Sequence, residues 1–180
     1  MRKSKMTITI LGCIGIFLIA ALVLLPATQA KAETMKFNYA SQITKFEYVL
    51  FPDVKGHVVG VWERRGVAIF ENEVAAIEAR GTLDKIKNVR ITFKGYGQIT
   101  FKDGSTIMYS VRGIKTLPPG EKLLNLYKDC KGKYIKGTGR FEGIKGELSF
   151  TGREITPYTK DKTKQDNWIE VTATYTLSKK

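Results

Sequence analysis

The sequence predicts an all-β protein: a small, closed, antiparallel β-barrel of about eight strands, preceded by a signal peptide. Three observations predict this fold. Apolar and polar residues alternate with period two along much of the chain after residue 33. Of the 17 glycines, 15 come after position 55. The same part of the chain has no long amphipathic helix pattern, and many short strands with glycine-rich turns favour a barrel over a doubly wound sheet.

Composition excludes several classes of protein and site. The chain has 180 residues, of which 43% are hydrophobic and 26% are charged. These values exclude a disordered tail, a collagen and a coiled coil. One histidine and two cysteines are too few for a site built from clustered imidazoles or thiolates, so we predict no metal site and no cofactor.

The first 32 residues carry the features of a signal peptide. Three cations near the start, Arg2, Lys3 and Lys5, are followed by an apolar run over residues 8–25. Pro26 ends this run, and Ala30 and Ala32 are the small residues that signal peptidase needs at −3 and −1. Cleavage after Ala32 predicts an exported protein, periplasmic or secreted. The alternative is an uncleaved inner-membrane anchor, because about 18 to 20 apolar residues can span a bilayer.

Residues 33–180 are predicted to form a single β-barrel domain, since no linker or internal repeat divides them. Loss of the first 32 residues removes four cations from a net charge of +13 and leaves +9. Only Cys130 then remains, so no internal disulfide can form. Its position between lysines predicts a loop cysteine, with a reactive thiolate as the alternative.

Strands are predicted in order along this domain, and the clearest covers residues 88–101. Its inward positions include Ile91, Phe93 and Ile99, and its outward positions are mostly polar. Asp103-Gly104 predicts a hairpin turn into a returning strand over residues 106–112. A break at 117–120 leads to an irregular or short helical segment over 121–127. The remaining predicted strands are 46–51, 56–62, 66–70, 74–83, 134–141, 144–152 and 168–177.

The glycine pattern over residues 137–152 carries a family resemblance. Gly137-Thr-Gly139-Arg-Phe141-Glu-Gly143-Ile-Lys-Gly146 resembles the Gly-x-Gly-x-Phe-x-Gly-x-x-Gly signature of bacterial allene oxide cyclase and dirigent-like barrels. The resemblance implies a calycin-like barrel of eight strands with an apolar cavity. Plant members of that superfamily cyclise or steer reactive small molecules. The matching glycines are structural, so no catalytic residue is carried over.

The inward positions predict where a ligand would bind. They are almost all apolar, and Tyr109 and Tyr175 are the clear polar groups among them. The predicted ligand-binding residues are Trp62, Phe93, Tyr109, Phe141, Phe150 and Tyr175. Glu78 and Arg80 share one face of a strand and form either a salt bridge at the barrel mouth or part of its exterior.

Glu142 completes the predicted polar rim, because its place in the glycine hairpin allows it to bond nearby backbone. The single histidine, His57, lies near a strand start and is predicted to be a surface or rim residue. No residue is predicted to be catalytic.

Three functions compete. The first is an exported barrel that binds an apolar small molecule or lipid and catalyses nothing. The second is a cyclase or isomerase acting on a hydrophobic substrate, which requires polar groups that converge on the cavity. The third is an envelope interaction module without a ligand. Basic residues spread over several strands favour attraction to an anionic membrane surface, and the lack of interleaved aromatic residues argues against nucleic acid.

Overall fold

The computed structural model describes residues 31–86, 90–121, 123–157 and 165–178. The strands are β1 (Glu33–Phe51), β2 (His57–Ile69), β3 (Val74–Ile86), β4 (Arg90–Thr100), β5 (Thr106–Thr116), β6 (Leu126–Gly137), β7 (Lys145–Glu154) and β8 (Asp166–Thr176). Each strand pairs antiparallel with the next, and β8 pairs with β1 to close the barrel. The predicted closed antiparallel barrel of eight strands is therefore confirmed.

The predicted signal peptide falls outside these strands. Residues 1–30 of that segment lie outside the described residues, and β1 begins at Glu33. Among the described residues, no helix is long and apolar enough to cross a membrane.

The predicted inward faces are confirmed in four strands. Ile91, Phe93 and Ile99 of β4 are buried, whereas the outward residues that alternate with this face are exposed or half-buried. The same alternation holds along β5, β7 and β8. The predicted hairpin turn is also present: Gly104 has φ 81°, and the amide of Ser105 donates to Asp103 Oδ1 over 2.9 Å.

Several predicted strand bounds are wrong. The predicted strands 56–62 and 66–70 are parts of the single strand β2 (His57–Ile69), because the charged residues between them continue the alternation. β1 begins 13 residues before the predicted strand 46–51. β6 spans Leu126–Gly137, and a 3-10 turn over Gly139–Phe141 replaces the predicted end of that strand. Gly139 has φ 58°, which favours this turn over extended backbone.

One end of the barrel, here called the aromatic end, is filled by Phe37, Phe70, Phe101 and Phe141. Their neighbouring ring centroids lie 4.7, 5.2 and 4.8 Å apart in that order. The guanidinium of Arg140 lies 4.6 Å from the ring of Phe101 and also pairs with Glu73. These packed rings, with the guanidinium of Arg140 over two of them, fill this end of the barrel.

Candidate functional site

The opposite end of the barrel holds buried polar side chains in place of aromatic rings. We call these residues the polar cluster: Ser41, Arg64, Lys115, Asn125, Glu154, Gln165 and Asn167. Each has at most 9% of its surface exposed. A buried polar group is destabilising unless it is hydrogen-bonded. The hydrogen bonds within the cluster therefore show which of its groups are satisfied and which lack a partner among the described residues.

A buried ion pair joins β5 to β7. Lys115 Nζ lies 3.1 Å from Glu154 Oε1, and both side chains are buried. The backbone and side-chain amides of Asn125 donate to Glu154 Oε2 over 3.0 and 2.6 Å. Burial raises the pKa of Glu154, but the charge of Lys115 and the bonds from Asn125 outweigh it and hold the pKa below its usual value of 4.5. The carboxylate is therefore ionised at neutral pH.

Arg64 is a second buried cation, and its hydrogen bonds go only to neutral oxygens. Its guanidinium donates to the carbonyl oxygens of Ser41 and Gln165 over 3.3 and 3.4 Å, and to Gln165 Oε1. Among the described residues, no carboxylate forms an ion pair with it. Two cations and one carboxylate give the cluster a net positive charge, which favours an anionic group in the interior.

Gln165 leaves one polar atom without a partner. A guanidinium only donates hydrogen bonds, so the side-chain oxygen of Gln165 must face Arg64. The amide nitrogen Nε2 of Gln165 is buried and has no acceptor among the residues that the structure describes. Such an atom points to a missing acceptor beside Arg64.

Asn167 orders the wall beside this group. Its Oδ1 accepts hydrogen bonds from Ser41 N and Ser41 Oγ over 3.2 and 2.7 Å. Its Nδ2 donates to the hydroxyl of Tyr127 over 2.9 Å. Burial also raises the pKa of Tyr39, another lining residue, well above 10.0, so this phenol stays neutral.

The polar cluster borders a cavity of about 40 Å³. Apolar side chains form most of its wall, including Ile43, Ile77, Leu83 and Val111, and Arg64 and Lys115 line it at the polar end. This volume holds a few water molecules, whereas pockets for drug-sized ligands measure about 300–1,000 Å³. A larger ligand therefore requires side chains of the polar end to move apart.

Four of the six predicted ligand-binding residues line this cavity: Trp62, Phe93, Tyr109 and Phe150. The other two lie elsewhere. Phe141 packs on Phe101 at the aromatic end. Tyr175 donates from its hydroxyl to Glu33 Oε2 over 2.7 Å, and burial followed by that bond raises its pKa to about 12. Ligand binding by these residues stays a prediction.

The three residues of the predicted polar rim do not surround the cavity. Glu78 and Arg80 lie on the exposed outer face of β3, because Ala75 and Ile77 occupy the inward positions of that strand. Glu78 pairs with Arg65 of β2 over 3.2 Å, which supports the exterior alternative. Glu142 follows the 3-10 turn at the aromatic end, where its backbone amide donates to Gly139 O over 3.1 Å.

His57 is the first residue of β2 and lies at one end of the barrel, which agrees with the rim alternative, but it is not a surface residue. The residue is only 9% exposed, and its imidazole lies between two carboxylates. Nδ1 is 2.7 Å from Asp53 Oδ1 and Nε2 is 3.2 Å from Asp84 Oδ1. The bond to Asp53 raises the pKa of His57 above 6.5. Burial lowers this pKa in part, and the negative charges of Asp53 and Asp84 raise it further.

The prediction of a loop cysteine is wrong. Cys130 is a buried residue of β6 with 2% of its surface exposed. Burial raises the pKa of its thiol to about 11, and the nearby Lys115 lowers it only in part. The thiol is therefore protonated at neutral pH, which contradicts the reactive thiolate.

Sequence analysis missed the polar cluster, although one signal could have revealed it. Arg64 continues the inward series of Trp62, and Lys115 continues the series of Tyr109 and Val111. Glu154 likewise continues the inward series of β7. Extending each alternation past its first charged residue would have placed these three side chains inside the barrel.

Comparisons with known proteins agree with the barrel. No protein-family model and no curated protein sequence matches the chain. A conserved protein of unknown function from Rhodopseudomonas palustris matches in structure with a TM-score of 0.53 and 12% identity, over 80% of this chain and 98% of that protein. At this identity the likeness shows the fold alone.

Two pterocarpan synthase dirigent proteins also match. PsPTS1 has a TM-score of 0.44 and 17% identity, over 84% of this chain and 99% of its own. GePTS1 has a TM-score of 0.43 and 13% identity, over 86% of this chain and 90% of its own. Both matches have TM-scores below 0.5, and they assign no ligand and no reaction to this chain.

Proposed function

We propose that this barrel binds in its interior an apolar small molecule or lipid that carries an acidic group. The observation that carries the proposal is the buried guanidinium of Arg64, which faces an apolar cavity without a carboxylate partner among the described residues. An acid seated there would neutralise the charge and accept its hydrogen bonds. Its apolar part would lie against Trp62, Phe93 and Phe150.

Because the cavity is small, ligand binding requires the polar end of the barrel to open. About 40 Å³ admits a few water molecules, so the ligand must displace them and spread the polar end. The aromatic end is filled by packed aromatic rings, which leaves the polar end as the entrance. Ligand affinity is then reduced by the free energy of opening.

The test compares two probes of one shape, decanoate and decanol, against purified residues 33–180. Binding is measured by native mass spectrometry and by tryptophan fluorescence, to which Trp62 in the cavity wall contributes. A hydrogen bond to a charged group contributes about 1.5–3 kcal/mol, so we expect decanoate to bind about tenfold more tightly or better.

Matched variants locate this preference. Arg64→Gln removes the buried charge, and Arg65→Gln removes the neighbouring exposed charge that pairs with Glu78. We expect the preference for the acid to vanish in the first variant and to persist in the second. Binding of neither probe, or equal loss of the preference in both variants, would overturn the proposal and favour an interaction module without a ligand.

A second candidate function, a cyclase or isomerase acting on a hydrophobic substrate, is favoured by one observation. Arg64, Lys115, Tyr127 and Asn167 converge on the cavity, as an enzyme of this shape requires. An isomerase leaves the mass of its ligand unchanged and alters its structure. We would therefore release any bound ligand and compare its chromatographic retention with that of the molecule supplied. A changed retention at the same mass supports catalysis, and an unchanged retention supports binding alone.

We also propose that the protein is exported, periplasmic or secreted, with residues 1–32 as a cleaved signal peptide. The proposal is supported by the cleavage pattern at Ala30-Lys31-Ala32 and by the start of β1 at Glu33. Expression of the full chain, followed by fractionation and intact-mass measurement, tests it. A soluble product that begins at Glu33 is expected. A full-length product in the inner membrane would support the anchor instead.

A further inference from the structure

The outer face of β3–β6 carries a groove of about 720 Å³, and Val111 is the one lining residue that it shares with the interior cavity among the described residues. Its floor is backbone at Gly81, Gly95 and Gly132, and its sides are long polar side chains. These side chains, here called the basic groove, are Lys94, Tyr96, Arg112, Lys131, Lys133 and Glu147. Four of the six are cations and one is an anion.

Three of the cations stand side by side across neighbouring strands. Lys94 of β4 pairs in register with Arg112 of β5, which pairs in register with Lys131 of β6. Neighbouring strands are about 4.8 Å apart, so the row places three like charges within about 10 Å. Like charges directly opposite each other destabilise a sheet. Such a row lowers stability unless an anion neutralises it.

One carboxylate, that of Glu147, lines the groove. Glu147 lies 3.9 Å from Lys133, and both side chains are about three-quarters exposed. Within the described part of the chain, no carboxylate forms an ion pair with Lys94, Arg112 or Lys131. The row is therefore available to an outside anion.

We infer that the basic groove binds a linear phosphodiester polymer without bases, recognised by its repeated charges. A row of fixed cations binds a chain of linked anions more tightly than a single anion, because each contact after the first is intramolecular. It also releases the counterions of the chain, which makes binding strongly dependent on salt. This inference does not rest on the proposed ligand of the interior.

Two other anionic partners fit the groove less well. Surfaces that bind a bilayer place apolar and aromatic side chains beside their cations so that these can enter the membrane. Binding to single-stranded nucleic acid uses several aromatic rings on which bases stack. Among the described residues that line this groove, Tyr96 is the single aromatic side chain, and it is 65% exposed. The groove therefore recognises charge rather than bases or acyl chains.

The test measures binding of a fluorescently labelled polyglycerol phosphate chain to purified residues 33–180 by anisotropy. For single-stranded polyanions the slope of log K against log salt is about −0.7 per phosphate contacted, so three contacts predict a slope of about −2. The double variant Lys94→Glu/Lys131→Glu should weaken binding about tenfold or more and flatten this slope. The matched control Lys36→Glu/Lys145→Glu makes the same charge change at two exposed residues outside the groove and should retain most of the affinity.

Stability supplies a second readout that separates lost binding from misfolding. Arg112→Gln relieves the repulsion in the row, so its urea midpoint should rise while binding of the polymer weakens. Equal weakening by the control pair would show general attraction between charges and overturn the inference. Tighter binding to phosphatidylglycerol vesicles, or to oligodeoxythymidylate, than to polyglycerol phosphate would overturn it in favour of a membrane surface or a nucleic acid. A groove occupied equally well by inorganic phosphate would also overturn it.

Discussion

The buried pair of Lys115 and Glu154 shows how single residues hold the polar end together. Each ion in the pair would be strongly destabilising alone, because the low-dielectric interior solvates charge poorly. The pair joins β5 to β7 and receives two further bonds from Asn125, so three elements depend on it. The site is thus an ordered polar network rather than a set of independent groups.

Glu154→Gln should therefore be strongly destabilising. It leaves Lys115 buried without its counterion, and we expect a loss of about 3–5 kcal/mol in the free energy of unfolding, measured with urea. Glu78→Gln breaks the exposed pair with Arg65 and should change the free energy of unfolding by less than about 1 kcal/mol. Similar losses in both variants would contradict a special role for the buried pair.

The same carboxylate predicts a pH dependence of stability. Because the folded pKa of Glu154 is lowered, its contribution to the stability of the fold is present above pH 4.5 and is lost as pH falls further. The Glu154→Gln variant should lack this loss.

His57 gives a pH response of the opposite sign. Its folded pKa is raised above 6.5, so its contribution to stability is fully present below 6.5 and is lost as pH rises through the folded value. The chain has one histidine, so a single imidazole signal in the proton NMR spectrum reports this pKa without assignment. We expect a titration midpoint above 6.5 that returns towards 6.5 in Asp53→Asn, since Asp53 forms the shorter contact. A midpoint at or below 6.5 in the unmodified protein would contradict the contacts of His57 with Asp53 and Asp84.

At the scale of strands, the period-two alternation predicted which side chains point inward and failed at strand ends. Lys115 lies just beyond the predicted strand 106–112, and Glu154 lies just beyond 144–152. Charged residues at inward positions resemble strand ends when only hydrophobicity is considered. Lys115 and Glu154 can be buried because they pair with each other. They lie 39 residues apart in the sequence, so this pairing is visible only in the fold. The apolar part of the site was therefore predictable from hydrophobicity, whereas its polar part required the alternation to be extended through charged residues.

Glycines on neighbouring strands make room for the indole of Trp62. Trp62 pairs in register with Gly81, which pairs with Gly95. A Cβ at position 95 would lie 2.6 Å from Arg80 O and 2.9 Å from Trp62 Cζ2. The wall of the cavity thus depends on two strands that carry no side chain at these positions.

Gly95→Ala should displace both the β3 backbone and this indole. We expect overpacking to lower the free energy of unfolding by about 1–3 kcal/mol and to shift the tryptophan emission. Gly104→Ala is the matched control: its cost comes from φ 81° alone, about 1–2 kcal/mol, and nothing lies within 4 Å of the added Cβ. Its emission should not change. An unaltered emission spectrum in Gly95→Ala would show that the indole does not pack as described.

At the scale of the whole molecule, the barrel separates three chemistries. Aromatic rings close one end, a positively charged polar network occupies the other, and the basic groove crosses the outer face of β3–β6. Among the described residues, the interior cavity and the basic groove share one lining residue, Val111, which faces inward from β5. A ligand inside and a polymer outside could therefore be bound at the same time, and variants at one site should leave the other intact.

Closure of the barrel depends on the first strand. Glu33 to Gln42 pair with β8 over ten positions, from Glu33 with Tyr175 to Gln42 with Asp166. We expect residues 33–180 to unfold with the same urea midpoint as the full chain, because all the strands that the structure describes lie between Glu33 and Thr176. Residues 43–180 should lose the cooperative transition and the near-ultraviolet circular dichroism signal, since an open edge would expose the core between β2 and β8. A cooperative transition at an unchanged midpoint in the shorter chain would show that β1 is dispensable, and the polar cluster could then not depend on Ser41 to order its wall.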